Sequence, residues 1–332
     1  MKRLLSFFSI CIVMFCSHAQ TLVREHRAVS LDHRVPAGNY SGITPLGGGL
    51  YAVVDDKAAN DGFYVWHIDI DAETGQVKQV QNLGFRHDGA PNRDAEGCAF
   101  LPQAFTVLVS GERDNSIVEY TLDGKATGRR TLNLVPGARS NGGLEALTYD
   151  AIRHQLWTME EAVPSLEKSK GRLRLVELDT DLQIRTIRYY PLAPPTAAAQ
   201  AGATHVHGVS AICALNDADG TLLVLEREAF IPKNKIGAWA KCRIVAVRPD
   251  DLLNVPPAAT SAVSQTNNSD AFPVLWEETT HMRLFQQTFA NYEGLCLGPR
   301  LSDGSQTLLL LSDSQNRYAG ILKDYLKVLV VK

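Results

Sequence analysis

Short apolar runs recur along this chain, each preceded by an acidic or small residue, broken by a turn and answered by a second apolar run ending in acid. The clearest copy spans residues 291–299 and 307–316, with Glu293 before the first run and Asp313 closing the second. Residues 94–100 and 105–113 repeat it with Glu96 and Glu112, and residues 143–148 and 155–161 repeat it with Glu145 and Glu160-Glu161. Residues 39–43 and 49–56 form a copy with Ser41 in the glutamate's place, and residues 209–214 and 221–227 form one with Ser210 there. A unit built of strands and repeated every 40–50 residues or so is the signature of a propeller or solenoid.

Alternation of polar and apolar positions supplies two further strands to each unit. In the first, 63–69 and 76–83 follow the pair already named; in the second, 116–120 and 130–134; in the third, 172–178 and 184–190. The fourth has 242–248 and then a Pro/Ser/Asn-rich insertion at 254–270, after which 272–277 resumes the pattern. Four antiparallel strands per unit is the architecture of a propeller blade. The last unit ends on 326–331 and lacks a fourth strand, whereas 21–30 reads as a strand without a unit. Pairing those two closes the ring and removes its open edges. The fold expected is all-β, a propeller of five four-stranded blades, with six left open around the insertion. No long amphipathic helix competes with it, and Gly47-Gly48-Gly49, between two strands, reads as a hairpin turn.

Composition adds limits rather than direction. The chain has 332 residues and a formal net charge of −3, without the basic footprint that nucleic acid or an anionic membrane would select. Residues 1–19 have a Lys2-Arg3 start, an apolar stretch over 4–16 and a small residue, Ala19, at the end. That pattern is a secretory signal, followed by a single domain over 20–332 in the periplasm or outside the cell, with no membrane span. A monomer is expected. Four cysteines follow the signal, and Cys98, Cys213 and Cys296 occupy corresponding places in three units, too far apart for disulfides, so free buried thiols are expected.

The chemistry follows from the repeat. Glu96, Glu145 and Glu293 start innermost strands and so stand at one height around the channel. Asp55, Asp56, Glu112, Glu160, Glu161, Glu226 and Asp313 end the next strands. Converging carboxylates repel one another unless cations intervene, and oxygen-only clusters suit Ca²⁺ or Mg²⁺. The expected metal set is Asp55, Asp56, Glu96, Glu145, Glu293 and Asp313. Lys57, Arg93, Arg113 and Arg227 are interleaved with these acids. A metal with nearby Arg and Lys is what a phosphate ester requires, so Lys57, Arg113, Arg227 and His207 are the expected substrate contacts. The alternative for any one Glu–Arg pair is simple neutralisation at a strand end. His205 and His207 share a strand face, but no third nitrogen or sulfur ligand is placed with them. Neither Ser41 nor Ser210 lies in a GxSxG elbow.

Residues 141–147 (Asn-Gly-Gly-Leu-Glu-Ala-Leu), 291–295 (Asn-Tyr-Glu-Gly-Leu) and 311–313 (Leu-Ser-Asp) resemble the phytase-like propeller family, described by an esterase-like activity of phytase. The resemblance covers about residues 39–332 and implies a Ca²⁺-assisted phosphoric ester hydrolase exported by bacteria. It carries catalytic roles onto Glu96, Glu145, Glu293 and Asp313, and Ser210 departs from the pattern. Two functional readings stand: a phosphoesterase acting on phosphorylated small molecules such as inositol phosphates, or a non-catalytic Ca²⁺-binding propeller whose acidic funnel takes a glycan or protein partner.

Overall fold

The computed structural model describes residues 20–163, 172–198, 200–254, 272–283 and 288–332. The proposed signal and nearly all of the insertion after Asn254 lie outside the described residues.

The chain enters through β1 (Leu22–Glu25) and β2 (Val29–Ser30) and then builds blade after blade. The first blade is β3 (Tyr40–Gly47), β4 (Leu50–Asp55), β5 (Asn60–Ile70) and β6 (Val77–Pro91), hydrogen-bonded in that order. The second is β7 (Ala95–Leu101), β8 (Thr106–Gly111), β9 (Ser116–Thr121) and β10 (Ala126–Arg130). The third is β11 (Leu144–Asp150), β12 (Gln155–Glu160), β13 (Arg172–Asp179) and β14 (Ile184–Pro191), with β18 (Leu253–Asn254) added at its rim. The fourth is β15 (Thr204–Ala214), β16 (Leu222–Ile231), β17 (Trp239–Val247) and β19 (Val274–His281). The fifth is β20 (Asn291–Arg300), β21 (Gln306–Asp313) and β22 (Tyr325–Val331), whose outer edge is taken by β1 and β2.

The count is therefore five, and the N-terminal strand closes the ring as the pattern required. Leu22 faces Val331 and Glu25 faces Leu329, while Val29 and Ser30 pair with Leu326 and Tyr325. The expected outer strand at 130–134 instead begins earlier, at Ala126. All five residues of β10 are exposed, so no polar–apolar alternation marks them. The core lies between adjacent blades, where Trp66, Trp157, Tyr120, Tyr190 and Tyr292 are fully buried among Leu, Ile and Val. The four described cysteines are buried and free. Among the described residues no helix is long and apolar enough to cross a membrane.

Candidate functional site

One irregularity, repeated in all five blades, makes the site. Each pairing of an innermost strand with its neighbour breaks register at a corresponding place: between Tyr40 and Gly42, Ala95 and Cys98, Leu144 and Ala146, Val209 and Ala211, and Tyr292 and Gly294. The residues at these bulges are Ser41, Glu96 with Gly97, Glu145, Ser210 and Glu293. A bulge re-aims a side chain that a regular pleat would send between sheets. It gives each blade one polar residue at the same place, three of the five being glutamates, and Ser41, Glu96, Glu145 and Ser210 line one central cavity.

The small residue that follows has an equally local cause. A Cβ on Gly42 would stand 2.6 Å from the Glu96 carbonyl oxygen, and one on Gly97 would stand 2.7 Å from both the Glu145 carbonyl and the Leu147 nitrogen. Innermost strands pass each other backbone to backbone, so glycine or alanine is demanded there. Gly42, Gly97, Ala146, Ala211 and Gly294 fill the five places.

A second ring sits above the first. Strand register places Asp55, Gly111, Glu160, Glu226 and Ser312 opposite the residue preceding each bulge. The next residue in each blade is Asp56, Glu112, Glu161, Arg227 or Asp313. The upper residue of one blade meets the lower residue of the next. Asp56 joins Glu96, together with Asp94, and Glu112 joins Glu145, together with Glu161; within each trio a carboxylate oxygen of every member lies within 4.8 Å of the others. Glu161 would face Ser210 in this scheme, and its partner is instead the Arg227 guanidinium. Arg227 also binds Glu293 and lies 3.8 Å from Glu145.

Charge and burial set the character of each trio. Glu96 and Glu145 are 7% and 5% exposed. Burial drives both carboxyl groups well above the usual carboxylate range, reinforced by Asp56 and Glu112 around Glu96, and by Glu96 and Glu161 around Glu145. Burial also raises Asp56, to about 6, against the pull of Lys57. Glu112 is raised by burial and held down in part by the backbone N–H groups of Gly142 and Gly143, which donate to it. One oxygen of Asp56, Oδ1, is buried without a partner among the described residues. Six carboxylates thus form two trios: Lys57 and Arg113 touch the first from its exposed side, and Arg227 touches Glu161 and Glu145 of the second. Side-chain oxygens in such number and spacing fit a hard divalent cation, and none of these trios contains the nitrogen or sulfur that Zn²⁺ would favour.

The remaining expected residues are distributed as follows. Glu293 is taken by Arg227 and by the Asn291 amide at 2.7 Å. Asp313 accepts from the Gln315 backbone at 2.7 Å and from its side chain, and burial raises it to about 7. Asp55 faces its own turn, accepting from the backbone of Asn39 and Lys57 at 3.3 and 3.1 Å. Neither Asp313 nor Asp55 belongs to a trio. Lys57 bridges Asp56 and Asp94 at 2.6 and 2.7 Å with a side chain 60% exposed, and Arg113, 64% exposed, reaches Asp94 at 3.5 Å. Arg227 is buried rather than open to solvent. Arg93 is committed to Asp61 at 2.5 Å and Asp114 at 3.0 Å, tying the first blade to the second. His205 binds Glu228 at 2.9 Å and lies flat beside His207, 6.3 Å between ring centres, on the strand face opposite Arg227. Burial lowers the His207 imidazole.

Sequence reading placed Glu112 and Glu161 at strand ends without assigning them to the metal set, and passed over Asp94. The available signal was register: these residues fall one place beyond the strand, on the face alternate to Gly111 and Glu160. Beside Ser41, Glu96, Glu145 and Ser210 the cavity between the innermost strands is lined by Ile43, Cys98, Leu147, Ile212 and Leu295, so the polar groups give way to apolar ones along the channel.

No curated protein matches the chain in sequence. Among solved structures, a luciferin-regenerating enzyme aligns over 91% of this chain and 95% of its own, at 12% identity and a TM-score of 0.47. A PQQ-bound aldose sugar dehydrogenase from Streptomyces coelicolor aligns over 95% and 98%, at 14% identity and 0.43. A periplasmic gluconolactonase from Pseudomonas aeruginosa aligns over 81% and 64%, at 12% and 0.36. Likeness at these scores carries no argument about chemistry. The family comparison is the informative one. Residues 35–315, taking in all five bulges and both carboxylate trios, match the family described as phytase-like, esterase-like activity of phytase, and the chain belongs to that family.

Proposed function

We propose that this protein is an exported, cation-assisted phosphoric ester hydrolase that takes phosphorylated small molecules at the acidic mouth of the propeller. The observation that carries the reading is the pair of carboxylate trios, Asp56-Asp94-Glu96 and Glu112-Glu145-Glu161, beside the solvent-exposed cations Lys57 and Arg113. Family membership and the signal-like residues 1–19 support the activity class and the export. The trios would hold Ca²⁺ or Mg²⁺, which supplies positive charge for a phosphoryl oxygen and lowers the pKa of bound water. Lys57 and Arg113 would bind the ester's phosphate oxygens, Arg113 in bidentate fashion. Arg227 neutralises Glu161 and Glu293, which keeps the surplus of negative charge over the first three blades.

Phosphate release from inositol phosphates, sugar phosphates and p-nitrophenyl phosphate tests this, in Ca²⁺ and in chelator. At least one ester should be hydrolysed in Ca²⁺ and none in chelator. Glu145→Gln keeps the shape, removes one charge, and should lower kcat/KM by on the order of 100-fold, at least the loss that follows removal of an outer-shell partner. If no ester is cleaved with Ca²⁺ present, the hydrolase reading fails and a binding propeller, for a glycan or protein partner, takes its place.

A further inference from the structure

Lys57 differs from every other basic residue near the mouth. Its ammonium bridges two carboxylates, Asp56 Oδ2 at 2.6 Å and Asp94 Oδ1 at 2.7 Å, yet its side chain is mostly in solvent. Buried cations nearby are held from several sides: Arg93 by Asp61, Asp114, Ser116 and the Val109 carbonyl, and Arg227 by Glu161 and Glu293. Lys57 has two exposed-edge contacts, and behind them the trio retains a buried and unpartnered oxygen, Asp56 Oδ1, and the deeply buried Glu96. The ammonium thus stands where a cation is needed without satisfying the oxygens beneath it.

We infer that Lys57 is a displaceable counter-ion: a divalent cation entering the Asp56-Asp94-Glu96 trio expels the lysine ammonium, which then becomes a binding group for the phosphate of the incoming ester. This rests on the cation-assisted reading above and adds an order to it. The cation must bind first, because until then Lys57 is engaged by carboxylates and the mouth repels anions. The ammonium end of both pairs lies in solvent, where water can replace the contacts it gives up and screens them. An ammonium on a flexible four-carbon stem can move between two anionic partners without the fixed fork geometry a guanidinium demands. Arg113 binds the Asn92 carbonyl at 3.0 Å and touches Asp94 at 3.5 Å, so it marks the place to which the phosphate would be drawn.

Calorimetric titration tests the exchange without turnover. CaCl₂ is the first probe; phenylphosphonate, a phosphate mimic that cannot be hydrolysed, is the second. With Lys57→Met the competitor is gone, and the Ca²⁺ Kd should tighten about tenfold at low salt, the worth of two exposed ion pairs. The same variant saturated with Ca²⁺ should bind phenylphosphonate about tenfold more weakly than the wild type, for loss of one charged contact. Lys57→Arg keeps a competing charge and should leave the Ca²⁺ Kd within a factor of about three, again the scale of an exposed pair. Wild-type protein should bind phenylphosphonate in Ca²⁺ and not in chelator. Unchanged or weaker Ca²⁺ binding by Lys57→Met overturns the inference, as does equal phenylphosphonate binding with and without Ca²⁺. Because neither titration involves catalysis, both can come out as expected while no ester is cleaved. The hydrolase reading would then fall and the exchange would stand.

Discussion

Gly97 shows how much a single atom decides. It follows the bulged Glu96, and a methyl group there would press on the Glu145 carbonyl and the Leu147 nitrogen of the next blade at 2.7 Å, and on Ser110 Oγ at 2.9 Å. Two of the three obstacles are backbone and cannot rotate away. Gly97→Ala should therefore force the second and third blades apart and cost about 1–3 kcal/mol, the range for overpacked cores. Thermal unfolding followed by circular dichroism reads this directly, and an unshifted Tm would mean that the innermost strands can separate freely. The Glu-Gly pair is plain in the sequence, but its purpose is not. Sequence spacing located Glu96, Glu145 and Glu293 because a repeat brings equivalent residues to equivalent heights. It could not find Asp94 or rank Glu112 above Asp313, since which oxygens meet across blades depends on bulges and on the offset between neighbouring sheets. Arg227 illustrates the same limit: its position after Glu226 reads as a substrate contact, while the fold surrounds it with Glu145, Glu161 and Glu293.

Among the strands, the most legible are those buried on both faces. The strands β4, β8, β12, β16 and β21 are near-continuous apolar runs buried on both faces, and all five were expected within a few residues of their true ends. Outer strands carry a weaker pattern. All residues of β10 are exposed, and β6 runs 15 residues, well beyond the expected 76–83, through register shifts in its pairing with β5. Closure of the ring was legible because one unit lacked a strand and one strand lacked a unit. Its chemistry was not. Lys327, 4% exposed, lies between Glu25 of the closing strand and Glu278 of the fourth blade at 2.8 Å, with its ammonium 5.3 Å from the Trp276 ring. Removing residues 21–30 would strip β22 of its outer partner and Lys327 of one counter-charge. Lys327 keeps Glu278, so the lost ion pair costs less than the ~3–5 kcal/mol of a fully uncompensated buried charge, and freed backbone groups of β22 add to it. The shortened protein should unfold at a clearly lower urea concentration, and an unchanged midpoint would mean that the three-stranded fifth blade is self-sufficient.

At the scale of the whole molecule, the ring concentrates acid on its axis, and that makes stability depend on pH and cations together. Asp56 and Asp313 are raised by burial to about 6 and about 7, and Glu96, Glu145 and Glu112 are raised for the same first reason. A carboxyl group whose folded pKa exceeds its unfolded one keeps its proton in the native state after the unfolded chain has released it. Between those two values the native state binds more protons, so stability falls as pH rises, by about 1.4 kcal/mol for each unit of pKa difference. The loss begins near the ordinary carboxylate value of 3.8 and continues to about pH 6 for Asp56 and about pH 7 for Asp313. In chelator the Tm should therefore decline from pH 5 to pH 8. A divalent cation held by the ionised trios, as proposed, should reverse the effect. It adds about 2.7 kcal/mol when free metal is a hundred times its Kd, most strongly at pH 8, where the carboxylates no longer need to lose protons first. Glu145→Gln should flatten the decline in chelator and remove much of the gain in Ca²⁺, because it deletes one of the buried charges responsible for both. Asp313→Asn should flatten the decline while leaving the Ca²⁺ gain in place, since Asp313 lies outside both trios. A Tm that holds steady from pH 5 to pH 8 in chelator would show that the axial carboxylates are already neutralised within the chain, and the case for a cation at the mouth would fall with it.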